Sequence, residues 1–231
     1  MKKERKDEKK EHESKEGFVA RVFIFFNQYD KIIYGIAIGL LLIVCALLAF
    51  NKFYLTPQSE KASALMTAPI EYMMKTDSLS LIQALEGDDE NEGFLSIASS
   101  FKFTKTANTA NYFAGKCYLG LGDKDEALRY LLKFKHKEDI YWYAAQALIS
   151  DIYDEQGDIK KAIKYCQKAT QTKDPYTAPA YLFKLGQLYE REDNWTKAAE
   201  TYQTIKDKFY TEFQKTGVEK YLERAIINKD K

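Results

Sequence analysis

Three segments of the chain decide its fold: AGKCYLGLGDKDEALRYLLKF (114–134), ISDIYDEQGDIKKAIKYCQKA (149–169) and LGQLYEREDNWTKAAETYQTI (185–205). All three carry a tyrosine at their fifth position, and these tyrosines are 35 and 36 residues apart. The tyrosines are Tyr118, Tyr153 and Tyr189. A pattern that returns at so regular a spacing indicates an internal repeat.

Other positions of the three segments agree as well. A small residue stands three positions before each tyrosine, and an alanine stands nine positions after it. The small residues are Gly115, Ser150 and Gly186, and the alanines are Ala127, Ala162 and Ala198. Helix breakers lie in between, namely Gly122-Asp123, Gly157-Asp158 and Asp193-Asn194. Each unit is therefore predicted to be two antiparallel helices joined by a tight turn.

The pattern resembles the tetratricopeptide repeat, which has a period of about 34 residues. The bulky residue that such repeats place seven positions before the tyrosine is present as Leu182, whereas Asn111 and Gln146 replace it in the first two units. The resemblance implies an all-α solenoid whose units stack on one another. We assign residues 108–207 to three repeats, residues 51–107 to further helical hairpins at the N-terminal side, and residues 208–231 to a capping helix centred on residues 213–227.

The N-terminal part of the solenoid carries three local signals. Thr56 and Pro57 predict the start of a helix that is bent at Pro69, and Asp77 predicts the cap of the next helix. The loop GDDENEG (87–93) is rich in acids, but Ser99 stands where a calcium loop needs a carboxylate pair. We interpret this loop as a polar connection to a helix that begins at residue 94.

Residues 32–50 form a run of 19 residues without a charge or a proline. A helix of this length covers the hydrocarbon thickness of a bilayer, about 30 Å. A buried core helix and a cleavable signal peptide are the alternatives. The run begins late for a signal peptide, and Leu47 and Ala49 do not match the small residues of a cleavage site. We predict a single transmembrane helix that acts as an uncleaved signal anchor.

Residues 1–31 form a charged arm followed by an aromatic-rich stretch. Residues 1–31 contain nine lysine or arginine residues, whereas residues 51–70 contain only Lys52 and Lys61. Positive charge stays in the cytoplasm, so the N-terminus is predicted to be cytoplasmic and the repeats exported. The pattern of residues 18–29 fits a short interfacial helix or, alternatively, a helix that binds a partner.

Composition argues against several classes of function. The net charge of +1 gives no nucleic-acid footprint. The three cysteines, Cys45, Cys117 and Cys166, include no CxxC pair, so we expect no metal site. We interpret Cys117 and Cys166 as buried free thiols, and a disulfide between them is the alternative. No catalytic motif is present, so we expect no enzyme, no cofactor and no small-molecule substrate.

A helical solenoid offers a concave surface lined by the first helix of each unit. Positions six and two before each tyrosine, and one after it, lie on this helix away from the core. The candidate protein-binding residues are Tyr112, Lys116, Asp151, Asp154, Phe183, Gln187 and Glu190. Aromatic residues beside polar ones suit a peptide or a partner helix. The alternative is that these residues only face water.

The chain as a whole resembles the ancillary subunit of the bacterial Sec translocon. The resemblance begins at VFIFFNQYDK (22–31), includes DSLSLIQALEGDDENEGFLSIASSF (77–101) and ends at YLERA (221–225). It implies an inner-membrane adaptor whose periplasmic repeats bind a chaperone or an exported chain near the translocon. A structural scaffold for envelope assembly or cell-division coordination is the alternative, and an enzyme with an unrecognised site is a distant third.

Overall fold

A computed structural model describes residues 30–137 and 140–229, and these residues are almost entirely α-helical. Within those ranges no strand forms, and Gly87 and Glu92 make an isolated bridge. The predictions for the charged arm and for residues 18–29 lie outside the described residues. The described part falls into two compact units, one that ends at Pro57 and one that begins at Gln58. The all-α prediction is confirmed.

The first unit contains helix α1 (Asp30–Phe50), which continues into a π-helical turn, Asn51–Leu55. In the part of the chain that the structure describes, this is the one helix long and apolar enough to cross a membrane. Its large apolar side chains face outward; Leu41, for example, exposes 61% of its surface. Length, composition and exposure therefore fit lipid contact.

Four short helices precede the repeats: α2 (Thr56–Leu65), α3 (Thr67–Lys75), α4 (Ser78–Glu86) and α5 (Phe94–Ser100). The predicted bend lies three residues before Pro69, where a turn at Met66 interrupts the helix, and Pro69 itself lies in the first turn of α3. Proline is tolerated there since the backbone N–H that it lacks has no partner within the helix. The predicted cap is confirmed: the Asp77 carboxylate accepts a hydrogen bond of 2.9 Å from the Ser80 backbone.

The acidic loop between α4 and α5 is held by one carboxylate. Asp88 accepts hydrogen bonds from the backbone N–H groups of Glu90 (2.9 Å) and Asn91 (2.8 Å) and from the Tyr72 hydroxyl. These hydrogen bonds, that of Tyr72 first, lower the pKa of Asp88 to about 2. The carboxylate thus fixes the loop against α3.

The predicted repeats form three helical hairpins. The first helices of the units are α6 (Lys105–Gly120), α8 (Ile140–Glu155) and α10 (Ala178–Arg191), which we term the A helices. The second helices are α7 (Lys124–Lys133), α9 (Ile159–Ala169) and α11 (Trp195–Lys208), the B helices. The prediction of two helices per unit, read from the breakers, is confirmed.

The turn inside each hairpin is the same. In each hairpin, the backbone N–H of the residue five positions after the tyrosine donates a hydrogen bond to the tyrosine carbonyl. The residue four positions after the tyrosine has a left-handed backbone conformation. These residues are Gly122 (φ 83°), Gly157 (φ 78°) and Asp193 (φ 56°). Asp123, Asp158 and Asn194 then cap the B helices through their side chains. Repeated turn chemistry at fixed offsets explains why the hairpins share one geometry.

The A and B helices of a unit approach most closely at the small residues. A Cβ atom on Gly186 would lie inside van der Waals contact of the Tyr202 ring, which is fully buried. In the second unit the Ser150 hydroxyl donates a hydrogen bond of 2.8 Å to the Ala162 carbonyl. Larger side chains have no space at these positions, so the small residues set the distance between the helices.

The C-terminal cap differs from its prediction. Instead of one helix over residues 213–227, the chain forms α12 (Tyr210–Thr216) and α13 (Glu219–Lys229). Gly217 between them is left-handed, with φ 65°. Phe213, Val218 and Leu222 are buried with residues of α9, α10 and α11. The break lets both short helices place apolar side chains on the last hairpin.

Cys117 and Cys166 are buried and free. Burial raises the pKa of each thiol to about 12, so both are neutral and pack as small apolar groups.

Gln146, which replaces a bulky residue of the repeat pattern, is also buried.

Candidate protein-binding surface on the A helices

All seven candidate residues lie on the A helices, but their environments differ. Lys116 is exposed, whereas Tyr112 exposes 6% of its surface. The remaining candidates, Asp151, Asp154, Phe183, Gln187 and Glu190, are partly buried. A ligand that binds here would therefore contact side chains that already pack between the units.

Tyr112 lies inside a cluster of aromatic rings. Its ring centroid is 5.0 Å from that of Tyr141, 5.2 Å from that of Phe113 and 5.8 Å from that of Phe134. Tyr141 comes from the start of α8, so the second unit covers this position of the first. The Nζ of Lys116 lies 5.9 Å from the Tyr112 ring centroid and stays accessible. Lys116 is thus the residue of this pair that a partner can reach.

Three acidic candidates form ion pairs between successive helices. Asp151 and Asp154 on α8 pair with Lys184 and Arg191 on α10. Glu190 on α10 pairs in the same way with Arg224 on α13. Solvent-accessible ion pairs contribute up to about 1 kcal/mol each, so a charged ligand can compete for them. The pairs link neighbouring units and present both signs of charge.

Phe183 closes the C-terminal end of this surface. Its ring packs edge-on against the ring of Tyr221 on α13, with the two centroids 4.8 Å apart. It is tilted against the ring of Tyr202, with the centroids 5.9 Å apart. Burial, followed by the nearby Glu190 carboxylate, raises the pKa of the Tyr202 hydroxyl, so Tyr202 stays neutral. The aromatic cluster anchors the cap on the last repeat.

A pocket of about 500 Å³ opens between α8 and α10. It is lined by Asp154, Lys184, Gln187, Leu188, Glu190 and Arg191. Three candidates, Asp154, Gln187 and Glu190, therefore meet at one place. The floor is apolar at Leu188 and the walls carry charges of both signs, so the pocket suits a side chain or a short peptide segment with polar ends.

Sequence reasoning missed the cationic half of this surface. Lys184 and Arg191 line the pocket, and Arg224 pairs with Glu190 from the cap. Arg191 stands two positions after Tyr189, next to Glu190. Extending the stripe by one residue along the A helix identifies it from the sequence. The same extension from Phe183 reaches Lys184, whereas Arg224 gives no such signal, because it belongs to the cap.

Models of the tetratricopeptide repeat match the chain at residues 109–134, 143–174 and 180–209. These segments coincide with the three hairpins of the structure. The chain carries tetratricopeptide repeats. Such repeats bind protein partners and generally serve as non-enzymatic scaffolds.

Solved structures with the same fold support the repeat assignment. The crystal structure of MamA protein has a TM-score of 0.51 and 17% identity, and the match covers 74% of this chain and 93% of that one. Nearly identical TPR-like repeats from Podosopora anserina give a TM-score of 0.50 and 13% identity, with coverage of 73% and 96%. At these identities the similarity shows the fold alone. A search of curated proteins found no significant match.

Proposed function

We propose that this chain is a non-enzymatic adaptor, anchored in the bacterial inner membrane by α1, whose periplasmic repeats bind a protein partner near the Sec translocon. The partner is a chaperone or an exported chain. The observation that carries the binding function is the pocket between α8 and α10, where three candidate residues of the A helices meet. A polar pocket on a repeat surface is a site for side chains of a bound protein.

The membrane and translocon parts of the proposal come from the sequence. The long apolar helix α1 supports an anchor by its length and composition. The resemblance of residues 22–31, 77–101 and 221–225 to the Sec ancillary subunit supports the location and the kind of partner. The anchor and the orientation are tested by experiments that do not depend on the pocket.

We expect a photo-reactive residue at Gln187 to cross-link to the bound partner in intact cells. Gln187 is half-buried in the wall of the pocket, so p-benzoylphenylalanine at this position reaches anything that enters it. A second probe at Lys116 tests the other end of the surface. The control position is Lys208, an exposed residue at the end of the B helix α11. Adducts are identified by mass spectrometry.

The identity of the adducts separates the candidate functions. Translocon subunits, periplasmic chaperones or exported chains at Gln187, absent at Lys208, support the adaptor. Peptidoglycan synthases or outer-membrane machinery support the envelope scaffold instead. Equal adducts at Gln187 and Lys208 count against any binding role of the pocket.

Protease accessibility tests the orientation. We expect protease added to spheroplasts with an intact inner membrane to remove residues beyond about Thr56 and to spare the arm, because positive charge before a span stays in the cytoplasm. The products are followed with tags at the two ends of the chain. Survival of the repeats until the membrane is lysed contradicts the periplasmic location.

A further inference from the structure

One phenylalanine of the second unit is exposed. Phe103 exposes 75% of its surface, whereas the other seven phenylalanines of that unit are buried or partly buried. It lies in the turn between α5 and α6, where the backbone N–H and the hydroxyl of Thr104 both donate hydrogen bonds of 2.9 Å to the Phe101 carbonyl. The Thr104 hydroxyl also accepts a hydrogen bond of 3.0 Å from the backbone N–H of Ala107. The turn therefore presents Phe103 on a well-fixed backbone.

The charges beside this ring are positive. Lys102 stands directly before Phe103 and Lys105 two positions after it, and both lysines are exposed. The chain contains no acidic residue anywhere from residue 93 to residue 122. We term residues 101–105 the aromatic turn. It offers one apolar side chain between two lysines.

The opposite charge lies before α5. Residues 86–92 contain five acidic residues and no lysine or arginine. Two of the acids accept hydrogen bonds from the loop or from α5, and three further exposed carboxylates remain: Glu86, Asp89 and Glu90. The two ends of α5 therefore differ in the sign of their charge.

Exposed apolar side chains accompany these acids. Leu79 and Ile82, both on α4, expose 67% and 41% of their surfaces. Ile82 is three residues after Leu79 and four before Glu86, so the three side chains share one face of the helix. We term this surface the acidic face, and its members are Leu79, Ile82, Glu86, Asp89 and Glu90.

The dipole of α5 explains only part of this pattern. Acids before a helix and lysines after it stabilise its two ends, because the N-terminus carries a partial positive charge and the C-terminus a partial negative one. This effect explains the charges and leaves the exposed phenylalanine, leucine and isoleucine unexplained. Apolar side chains with charged residues around them are the usual composition of a contact between proteins.

We propose that the aromatic turn of one copy of this chain docks on the acidic face of a second copy, and reciprocally. A partner of the acidic face has to bring an apolar side chain with positive charges beside it, and the aromatic turn has this composition. Helix α5 has seven residues and is about 10 Å long, so the turn and the acidic loop lie close together on each molecule. A two-fold axis near α5 then makes each contact twice.

This inference goes beyond the proposed function and uses neither the pocket between α8 and α10 nor the translocon. Anchoring by α1 supports it, since copies confined to one membrane meet at a higher effective concentration. A contact of modest area can then be occupied.

The first test places p-benzoylphenylalanine at Phe103 in the full chain. The chain is irradiated in intact cells and again after purification in detergent, and linked peptides are identified by mass spectrometry. We expect an adduct of two copies whose second peptide comes from residues 77–92. Tyr176 is the matched control position, because it is also an aromatic residue and exposes 86% of its surface. The probe at Tyr176 should not give this adduct.

The second test exchanges the charges. Lys102→Glu with Lys105→Glu makes the turn acidic, and Glu86→Lys with Glu90→Lys makes the face basic. Either pair of substitutions alone brings like charges together, so the adduct of two copies at Phe103 should fall about tenfold. Coexpression of the two variants should restore it, because each turn then meets a face of opposite charge.

The exchanged charges suit the helix ends on which they lie. Lys105→Glu is in the first turn of α6 and Glu86→Lys in the last turn of α4, where the helix dipole favours the new charges. Thermal unfolding followed by circular dichroism checks that both variants remain folded.

The alternatives give distinct results. The proposal is overturned if Phe103 gives no adduct of two copies, or one whose second peptide lies outside residues 77–92. Adducts with other proteins alone also overturn it and assign the aromatic turn to a different partner. An adduct that survives the charge exchange, or that coexpression does not restore, excludes the pairing of turn and face. Cross-linking at Gln187 tests the proposed function separately, so either result can fail without the other.

Discussion

Gly186→Ala should lower the free energy of unfolding of the repeats by about 2 kcal/mol, because an added methyl group has no space between α10 and α11. The new Cβ would overlap atoms of the Tyr202 ring. That ring has 0% exposure and is held between Phe183 and Tyr221, so it has no free direction in which to move. Urea unfolding of the full chain, followed by tryptophan fluorescence, measures the loss.

A double-mutant cycle tests whether the ring is the cause. Tyr202→Leu alone destabilises the chain by leaving a cavity, but it also removes the atoms that the methyl group would meet. Adding Gly186→Ala to Tyr202→Leu should therefore cost little more. Gly120→Ala is the control, since the one close atom that its Cβ would meet is a terminal methyl carbon of Leu81, which can shift, and a smaller loss is expected. Equal losses at Gly186 in both backgrounds would mean that the close approach is not set by Tyr202.

The hairpins could be predicted from the sequence because their determinants are local. Each turn needs a left-handed residue and a capping side chain at fixed distances from the tyrosine, as at Gly122 and Asp123. Such signals lie within a few residues of one another. The break at Gly217 is of the same kind, and the sequence contains its signal, a glycine between two short apolar patterns. Treating residues 213–227 as one helix overlooked it.

The surface of the A helices was harder to predict because its contacts join residues far apart in the sequence. Tyr112 fits the spacing of an outward position, yet Tyr141 from the next unit covers it. The partner of Glu190 is Arg224, 34 residues away. Spacing places a residue on a face of its helix, but the neighbouring unit decides whether that face is covered, paired or open.

The second large effect concerns the membrane anchor. Replacing Leu41 and Val44 together by arginine should release the chain from the membrane fraction. Both residues lie near the middle of α1 and are exposed, so in a bilayer they would face lipid. An arginine at the centre of a membrane helix costs about 3 kcal/mol, so two cost about 6 kcal/mol. The ten other Leu, Ile and Phe residues of α1 contribute only about 0.5 kcal/mol each, about 5 kcal/mol together, so the two arginines outweigh the driving force for insertion.

Flotation of membranes in a sucrose gradient after alkaline extraction measures this effect, because floating membranes separate from aggregated protein. We expect nearly all of the natural chain, and of the control Leu41→Ala, Val44→Ala, to float with the lipid. The arginine variant should fall to about a tenth or less, as follows from a shift of several kcal/mol in a two-state equilibrium. An arginine variant that still floats after high salt has removed electrostatic adsorption would show that α1 does not hold the chain in the membrane. The adaptor proposal would then lose its anchor, while the pocket between α8 and α10 would remain a candidate site for protein binding, since that pocket is built entirely from the repeats.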